Sequence, residues 1–285
     1  MIASRPVPPA LPVLRFFVTG CASGIGRHLA GVLLAAGHQV FATDLDEVAL
    51  RAHAHAWPPD RAHLRRLDVS DPAAWELVFA EAVATMGGVD VLCNVAGYLL
   101  PGRVGHYADD IVHRHFDVNT KGVVFGTQVA ARHMIDRRDG HIINIASLAA
   151  LAPVPGIALY SASKYAVRGF SLAAAQELRP HGVAVTVICP DAVDTPMLDM
   201  QIDHDAAAMT FSGSRFLTVA DVSAAILGRA LGKRPLEIYL PRSRALLARL
   251  ADMFPRTALW LRPMLERRGR AKQAAMQRER LSPRR

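Results

Sequence analysis

Cysteine is scarce in this chain: among 285 residues only Cys21, Cys93 and Cys189 carry thiols. Three scattered cysteines exclude a disulfide framework and a four-ligand zinc site, and they suit a reducing compartment. Aromatic residues make up 6%, and none interleave with basic residues as a nucleic-acid groove requires. No apolar run is long enough for a membrane span. The longest uncharged stretch, Ile142 to Ser163, is interrupted by Pro153, Pro155 and Gly156. Residues 1–12 hold Arg5 and a proline cluster but no apolar run before a cleavage site, so they are expected to be a leader without secretory function and the chain to be cytoplasmic. Twelve histidines are present, but His53 and His55, like His113 and His115, stand two apart and do not share a helix face. No metal site is expected.

Hydrophobic residues reach 51% and charged residues 20%, a globular composition. The net charge of +8 is unevenly placed: of 33 Lys/Arg and 25 Asp/Glu, thirteen and three fall within 242–285, which leaves twenty and twenty-two in the body. The high isoelectric point therefore belongs to a tail.

Before that tail, short apolar runs alternate with amphipathic stretches. Strands are expected at Val13–Thr19, Gln39–Thr43, Leu64–Val69, Val89–Asn94, His141–Ala146, Val183–Cys189 and Leu236–Leu240. A helix is expected over Gly24–Ala36, with Gly37 as its stop. This alternation predicts a single α/β domain over 13–241, a doubly wound parallel sheet covered by helices on both faces.

The segment Thr19-Gly20-Cys21-Ala22-Ser23-Gly24-Ile25-Gly26 closes the first strand and opens the first helix. Glycines permit a tight turn and close approach of a pyrophosphate, and the helix N-terminus offers free N–H groups to it. Asp44 closes the second strand, where a carboxylate accepts from an adenosine ribose and repels a 2′-phosphate. No Lys or Arg stands beside it in sequence, which favours NAD over NADP. Asp44 also reads as a turn carboxylate before the next helix. Asp68, with Val69, ends the third expected strand, either to meet an adenine edge or to cap the helix that begins near Pro72.

Tyr160 and Lys164 stand at i and i+4 on one expected helix face, thirteen residues after Ser147. A phenol of ordinary pKa, about 10, is a poor base at neutral pH. A neighbouring ammonium is expected to lower it, so that the pair exchanges a proton with an alcohol or carbonyl while the serine holds the oxygen. The buried strand-end Cys189 is expected to be inert.

In these motifs the chain resembles the short-chain dehydrogenase/reductase family over roughly Val13 to Leu240. The glycine turn matches the family's cofactor signature. Asn94-Val95-Ala96-Gly97 is similar to its fourth-strand element, Asn119 stands where the family has an asparagine, and Ser147, Tyr160 and Lys164 complete a tetrad. Cys189-Pro190-Asp191, then Thr195-Pro196-Met197, resembles the segment beside the nicotinamide. The resemblance implies a Rossmann-fold NAD(P)-dependent oxidoreductase moving a hydride at a carbinol carbon. Tyr160 would be acid/base, Lys164 a ribose ligand, Asn119 the holder of a water and Thr195 the carboxamide partner. Gly20, Ser23, Gly24, Ile25, Gly26, Asp44, Asp68, Val69, Asn94, Ala96, Gly97, Pro190 and Val193 would line the cofactor. It also implies a homodimer or homotetramer. Two departures stand out: Val95 replaces a second asparagine, and Asp191 replaces a glycine.

Asp194 to Leu217 is expected to be a substrate flap. Met197, Leu198, Met200, Ile202, Met209 and Phe211, with Leu148, Leu151, Pro153 and Val154, would form an apolar pocket for a steroid-, retinoid- or acyl-like alcohol or ketone, unless they only pack in the core. Two other functions are consistent with the fold: an NADPH-dependent ketoacyl- or polyketide-type reductase, and a non-catalytic nucleotide sensor. In the extension, Leu246, Leu247, Leu250, Met253 and Phe254 form one helix face, and Leu259, Trp260, Leu261, Met264 and Leu265 a second, with arginines around them. That pattern suits either an anionic membrane surface or packing on the body.

Overall fold

The structure is a computed structural model and describes residues 13–281; the leader 1–12 lies outside the described residues. Seven strands form one sheet: β1 (Arg15–Thr19), β2 (Gln39–Asp44), β3 (Ala62–Arg66), β4 (Val91–Asn94), β5 (Gly140–Ile145), β6 (Val183–Pro190) and β7 (Glu237–Leu240). All pair in parallel in the order β3-β2-β1-β4-β5-β6-β7. The order reverses between β1 and β4, which opens a crevice at the carboxyl ends of those two strands.

Helices cover both faces because the central strands are apolar on both sides. α1 (Gly24–Ala35), α2 (Glu47–Ala54), α3 (Pro72–Met86), α4 (Asp109–Phe116), α5 (Gly122–Arg137) and α6 (Ala158–Leu178) precede β6. One core gathers Phe16, Val18, Leu29, Leu33, Ile143, Ile188 and Ile226. The other stacks Phe17 on Phe41 and on Trp75, each pair of rings 5.5 Å apart, with Met134, Val129 and Leu178 around them. Local signals set the helix ends. Asp46 and Asp71 cap α2 and α3 by accepting backbone N–H bonds, Pro72 opens α3, and Gly87 at φ +72° ends it.

After β6 come α7 (Pro196–Asp199), a 3-10 turn (Asp205–Ser212), α8 (Val219–Ala224) and α9 (Leu231–Lys233). The extension folds as α10 (Arg242–Met253) and α11 (Pro255–Leu281). Pro263 lies inside α11 without ending it. The third strand differs from expectation: it runs Ala62–Arg66, and Leu67 to Val69 belong to the turn that follows, with Leu67 and Val69 buried in the second core.

Candidate active site

The glycine turn forms as the sequence implies, and its glycines are required by space as well as by conformation. A Cβ on Gly20 (φ +75°) would come within 2.9 Å of the Ala96 Cα, and one on Gly26 within 2.1 Å of the Gly20 carbonyl oxygen. The turn and the β4 end thus close on each other. Thr19 fastens them, its Oγ1 accepting from Val95 N and Ala96 N at 3.0 Å each. Ser23 is the N-cap residue of α1 in extended conformation, and its hydroxyl makes no cap bond. With the N–H groups of Gly24 to Gly26, which have no helical acceptor, it leaves a donor-rich rim suited to a pyrophosphate.

Asp44 does not cap the next helix, which Asp46 does; its Oδ2 accepts from Ala22 N at 2.8 Å and its Oδ1 from Asp46 N at 3.0 Å. It therefore braces the glycine turn against the end of β2. Asp68 lies beyond the strand end, and it caps not the helix but Ser70, accepting from its N at 2.9 Å and its Oγ at 2.6 Å; the cap of α3 is Asp71. Val69 is buried against Gly122, where a Cβ would come within 2.9 Å of the valine side chain.

Asn94 carries a structural role besides the expected one. Its side chain is buried and donates to Asn144 Oδ1 at 2.9 Å, and Asn144 donates on to Ser171 Oγ at 2.9 Å. Its amide is used to join β4, β5 and α6, so only its backbone faces the crevice. Val95 packs against the first core, which accounts for an apolar residue at that place.

The tetrad residues converge. Ser147 lies close enough to Tyr160 to favour its phenolate, and Ser147 Oγ donates to the Pro190 carbonyl at 3.4 Å and accepts from Ala149 N at 3.1 Å. Lys164 is 3% exposed. Its Nζ donates to the Ile145 carbonyl at 2.7 Å and stands 5.6 Å from the Tyr160 ring centroid. Asn119, in a π-turn (Asp117–Lys121), grips Tyr98 at both ends: Oδ1 accepts from Tyr98 N at 2.7 Å and Nδ2 donates to Tyr98 O at 2.8 Å and to Ser163 Oγ at 3.0 Å. Its amide hydrogens are thereby spent on the protein, so the side chain positions the loop after β4. A Cβ on Gly97 would lie 3.4 Å from Asn119 Oδ1, 3.7 Å from Met197 Cε and 3.8 Å from Lys164 Nζ.

Burial dominates the electrostatics here. It pushes the Tyr160 phenol up to about 12, against the opposing effect of Ser147, and pushes Lys164 down to about 8. The expected acidification of the phenol by the lysine does not prevail in this arrangement. Burial also raises Cys189 to about 12, which makes its thiol unreactive.

On the nicotinamide side, Thr195 meets the glycine turn: its Cγ2 lies 3.3 Å from where a Gly24 Cβ would be, and its Oγ1 donates to Val193 O at 3.2 Å. Asp191 does not enter the crevice unpaired. Its Oδ2 lies 2.5 Å from Arg244 Nε in α10, and burial, partly offset by that arginine, raises its pKa. The extension thus answers the departure from glycine, a relation no local sequence signal reveals.

The flap packs closely on the loop before α6, where a Cβ on Gly156 would overlap the Ala206 carbonyl. Of the expected apolar lining, Leu198, Ile202 and Phe211 instead pack in the flap's own core with Met276 of α11, and Leu148 and Leu151 in the body. Pro153 and Met200 are exposed, while Val154, Met197 and Met209 are half-buried. Short flap segments bury their leucines and aromatics to fold, so fewer remain for a ligand. His115, read against a metal role, is buried and tied to Ile111 O at 2.8 Å and Leu100 N at 3.3 Å.

A profile of the family "short chain dehydrogenase" matches residues 15–206. The chain belongs to the short chain dehydrogenase family. A 3-alpha-(or 20-beta)-hydroxysteroid dehydrogenase of Mycobacterium bovis is 38% identical over 183 residues, 64% of this chain and 70% of that protein. Among solved structures, a short chain dehydrogenase/reductase of Burkholderia phymatum in complex with NAD matches with TM-score 0.78 and 25% identity over 87% of this chain and 96% of its own. A serine dehydrogenase complexed with NADP+ matches with TM-score 0.72 and 30% identity over 79% and 94%. This short chain dehydrogenase is accordingly an oxidoreductase acting on CH–OH groups with a nicotinamide cofactor. Among the described residues no helix is long and apolar enough to cross a membrane, and no cluster of three or more metal-ligating side chains forms. The matched segment ends before the second half of the flap and the whole extension.

Proposed function

We propose that the enzyme interconverts a lipophilic secondary alcohol, of steroid-like size, and its ketone with NAD. The observation that carries the reading is the placement of the buried Lys164 Nζ 5.6 Å from the Tyr160 ring, with Ser147 acting on the same phenol beside the glycine-turn crevice. The cofactor, when bound, supplies or accepts the hydride. Tyr160 gives its phenolic proton to the oxygen of the ketone as that oxygen gains negative charge, or takes the proton of the alcohol in the reverse direction. Ser147 donates to the same oxygen, and Lys164 places positive charge beneath the ring. Pro190, Val193 and Thr195 bound the nicotinamide end. Asp44 favours a free ribose.

The steroid-like class rests on Met197 beside Gly97 and Lys164, and on the name of the mycobacterial relative. One observation favours NADP as a second reading: Arg66, exposed on β3, pairs in register with Asp44. Linear inspection missed it because the two residues are distant in sequence. Turnover on a panel of hydroxysteroids, long-chain secondary alcohols and small polyols, each with NAD and NADP, tests the reading. Activity confined to polyols would remove the substrate class. A higher kcat/KM with NADP that Arg66→Ala abolishes would replace the cofactor. Unchanged turnover in Tyr160→Phe would remove the catalytic assignment. The homodimer or homotetramer implied by the family is retained as part of this reading, with light-scattering mass as its measure.

A further inference from the structure

The large apolar side chains of α10 and of the first half of α11 are exposed, although both helices also pack on the protein. α10 rests on the body through small and polar residues. Ala245 and Ala248 join the core beneath it. Arg249 pairs with Glu237 at 3.3 Å and stands 4.7 Å over the Tyr239 ring. Asp252 accepts from the Tyr165 hydroxyl at 3.1 Å. Positions 245, 248, 249 and 252 form one helix face. The opposite face presents Leu246, Leu247, Leu250 and Met253, 45–69% exposed. The first half of α11 adds Leu259, Leu261 and Met264, and Trp260 at 81% exposed. So many large apolar side chains exposed on two successive helices mark an interaction site.

Its surroundings say what it meets. Arg242 stands one turn before Leu246, Arg256 one turn before Trp260, and Arg268 one turn after Met264. All three are exposed, and none takes part in an ion pair among the described residues. Of the acids nearby, Glu266 is paired with Arg270 at 2.8 Å, and Asp252 lies on the opposite face of α10, beside Tyr165. A second copy would bring like charge against like. An anionic lipid surface supplies the missing sign, and leucines with a tryptophan among arginines are the side chains that settle at its headgroup boundary.

We propose that the outer face of α10 and the first half of α11 docks in the plane of an anionic phospholipid bilayer. The second half of the same α11 grips the flap. Gln273 Nε2 donates to the carbonyls of Gln201, Ile202 and His204, Gln277 Nε2 to that of Ile202, and Arg280 pairs with Asp199. Docking therefore sets the flap beside the bilayer, and entry of an apolar substrate from the lipid follows where the proposed substrate class also holds; the docking itself does not depend on that class.

The test is co-sedimentation of the full chain with vesicles of phosphatidylcholine alone and with phosphatidylglycerol added, alongside tryptophan emission. The wild type is expected to pellet with the anionic vesicles only, with a blue shift that Trp260→Phe removes, since Trp75 is buried and Trp57 lies against the core. The exposed-face double variant Leu247→Asp/Leu250→Asp is expected to partition at least roughly tenfold more weakly, with turnover of a soluble substrate unchanged. Wild type left in the supernatant with anionic vesicles overturns the proposal. So does equal pelleting of the variant, or a wild-type oligomer that pellets with neither vesicle and that the double variant dissociates, which would assign the face to a second copy. Failure here leaves the turnover panel unaffected, so the two readings fall separately.

Discussion

Replacing Gln273 with Leu removes the hub between extension and flap at nearly constant volume. Gln273 is 4% exposed, and its Nε2 lies 3.0, 2.9 and 2.9 Å from the carbonyls of Gln201, Ile202 and His204. Each carbonyl keeps another donor in the variant: Gln201 has His204 N at 3.2 Å, Ile202 has Gln277 Nε2 at 2.8 Å, and His204 has Ala207 N at 2.9 Å. The cost is therefore the net value of lost bonds and not that of orphaned acceptors. Two amide hydrogens, each worth about 1 kcal/mol, give about 2 kcal/mol, or roughly a thirtyfold rise in flap opening. The loss should be local, because the flap has a small core of its own, Leu198, Ile202, Ala207 and Phe211, covered by Met276. Hydrogen exchange of residues 196–212 measures it directly, with strands β4 to β6 as the internal reference. Gln273→Glu should open the flap further at neutral pH, since a carboxylate only accepts, and recover in part on acidification. Flap exchange identical in Gln273→Leu and wild type would refute the clamp.

Alcohol oxidation should accelerate with pH up to about 8, above which Lys164 sheds the charge that supports the phenolate. Burial holds Tyr160 protonated up to about 12, and the proton-accepting form grows as pH rises toward that value; a pH-independent kcat/KM for oxidation would contradict this. Acid should destabilise the fold through His141. Thr186 Oγ1 spends its hydrogen on Pro235 O at 2.6 Å and so accepts from His141 Nε2 at 2.8 Å, while burial drives the imidazole pKa down to about 3. Between the ordinary histidine value of about 6.5 and that value, the unfolded chain binds a proton the native state refuses, so stability falls as pH drops through this window. Urea midpoints should show the decline flattened in His141→Gln. Gly26→Ala should abolish cofactor affinity, because its Cβ would fall 2.1 Å from the Gly20 carbonyl; isothermal titration would register any retained binding. Arg244→Ala should leave Asp191 buried and unpaired, with a lowered Tm and a raised KM for cofactor.

The sheet was readable because parallel strands buried on both faces are written as short Val/Ile-rich runs, as in β5 and β6. β3 shifted because it is an edge strand. Its exposed Arg65 and Arg66 lack the apolar cue, while Leu67 and Val69, which carry that cue, turn inward after pairing has ended. The glycine turn and Ser147, Tyr160 and Lys164 were legible because their chemistry fixes residue type and spacing. The structural use of the Asn94 side chain was not legible because its partner, Asn144, lies fifty residues away across a strand pair. In α10 the stripe of leucines was visible but not the side it faces: periodicity reports a face, and only tertiary contacts such as Ala245 against the body reveal which one is covered.

Arg280 reaches back to Asp199, and Gly269 fits so tightly under the Ala208 carbonyl that a Cβ would overlap it at 1.9 Å. The lid and the tail are consequently one cassette although residues 218–241 separate them in the chain. A chimera that transplants residues 194–217 onto another scaffold without 242–281 would carry a roof stripped of its rafters. Exchange of substrate range between such enzymes requires moving both segments together.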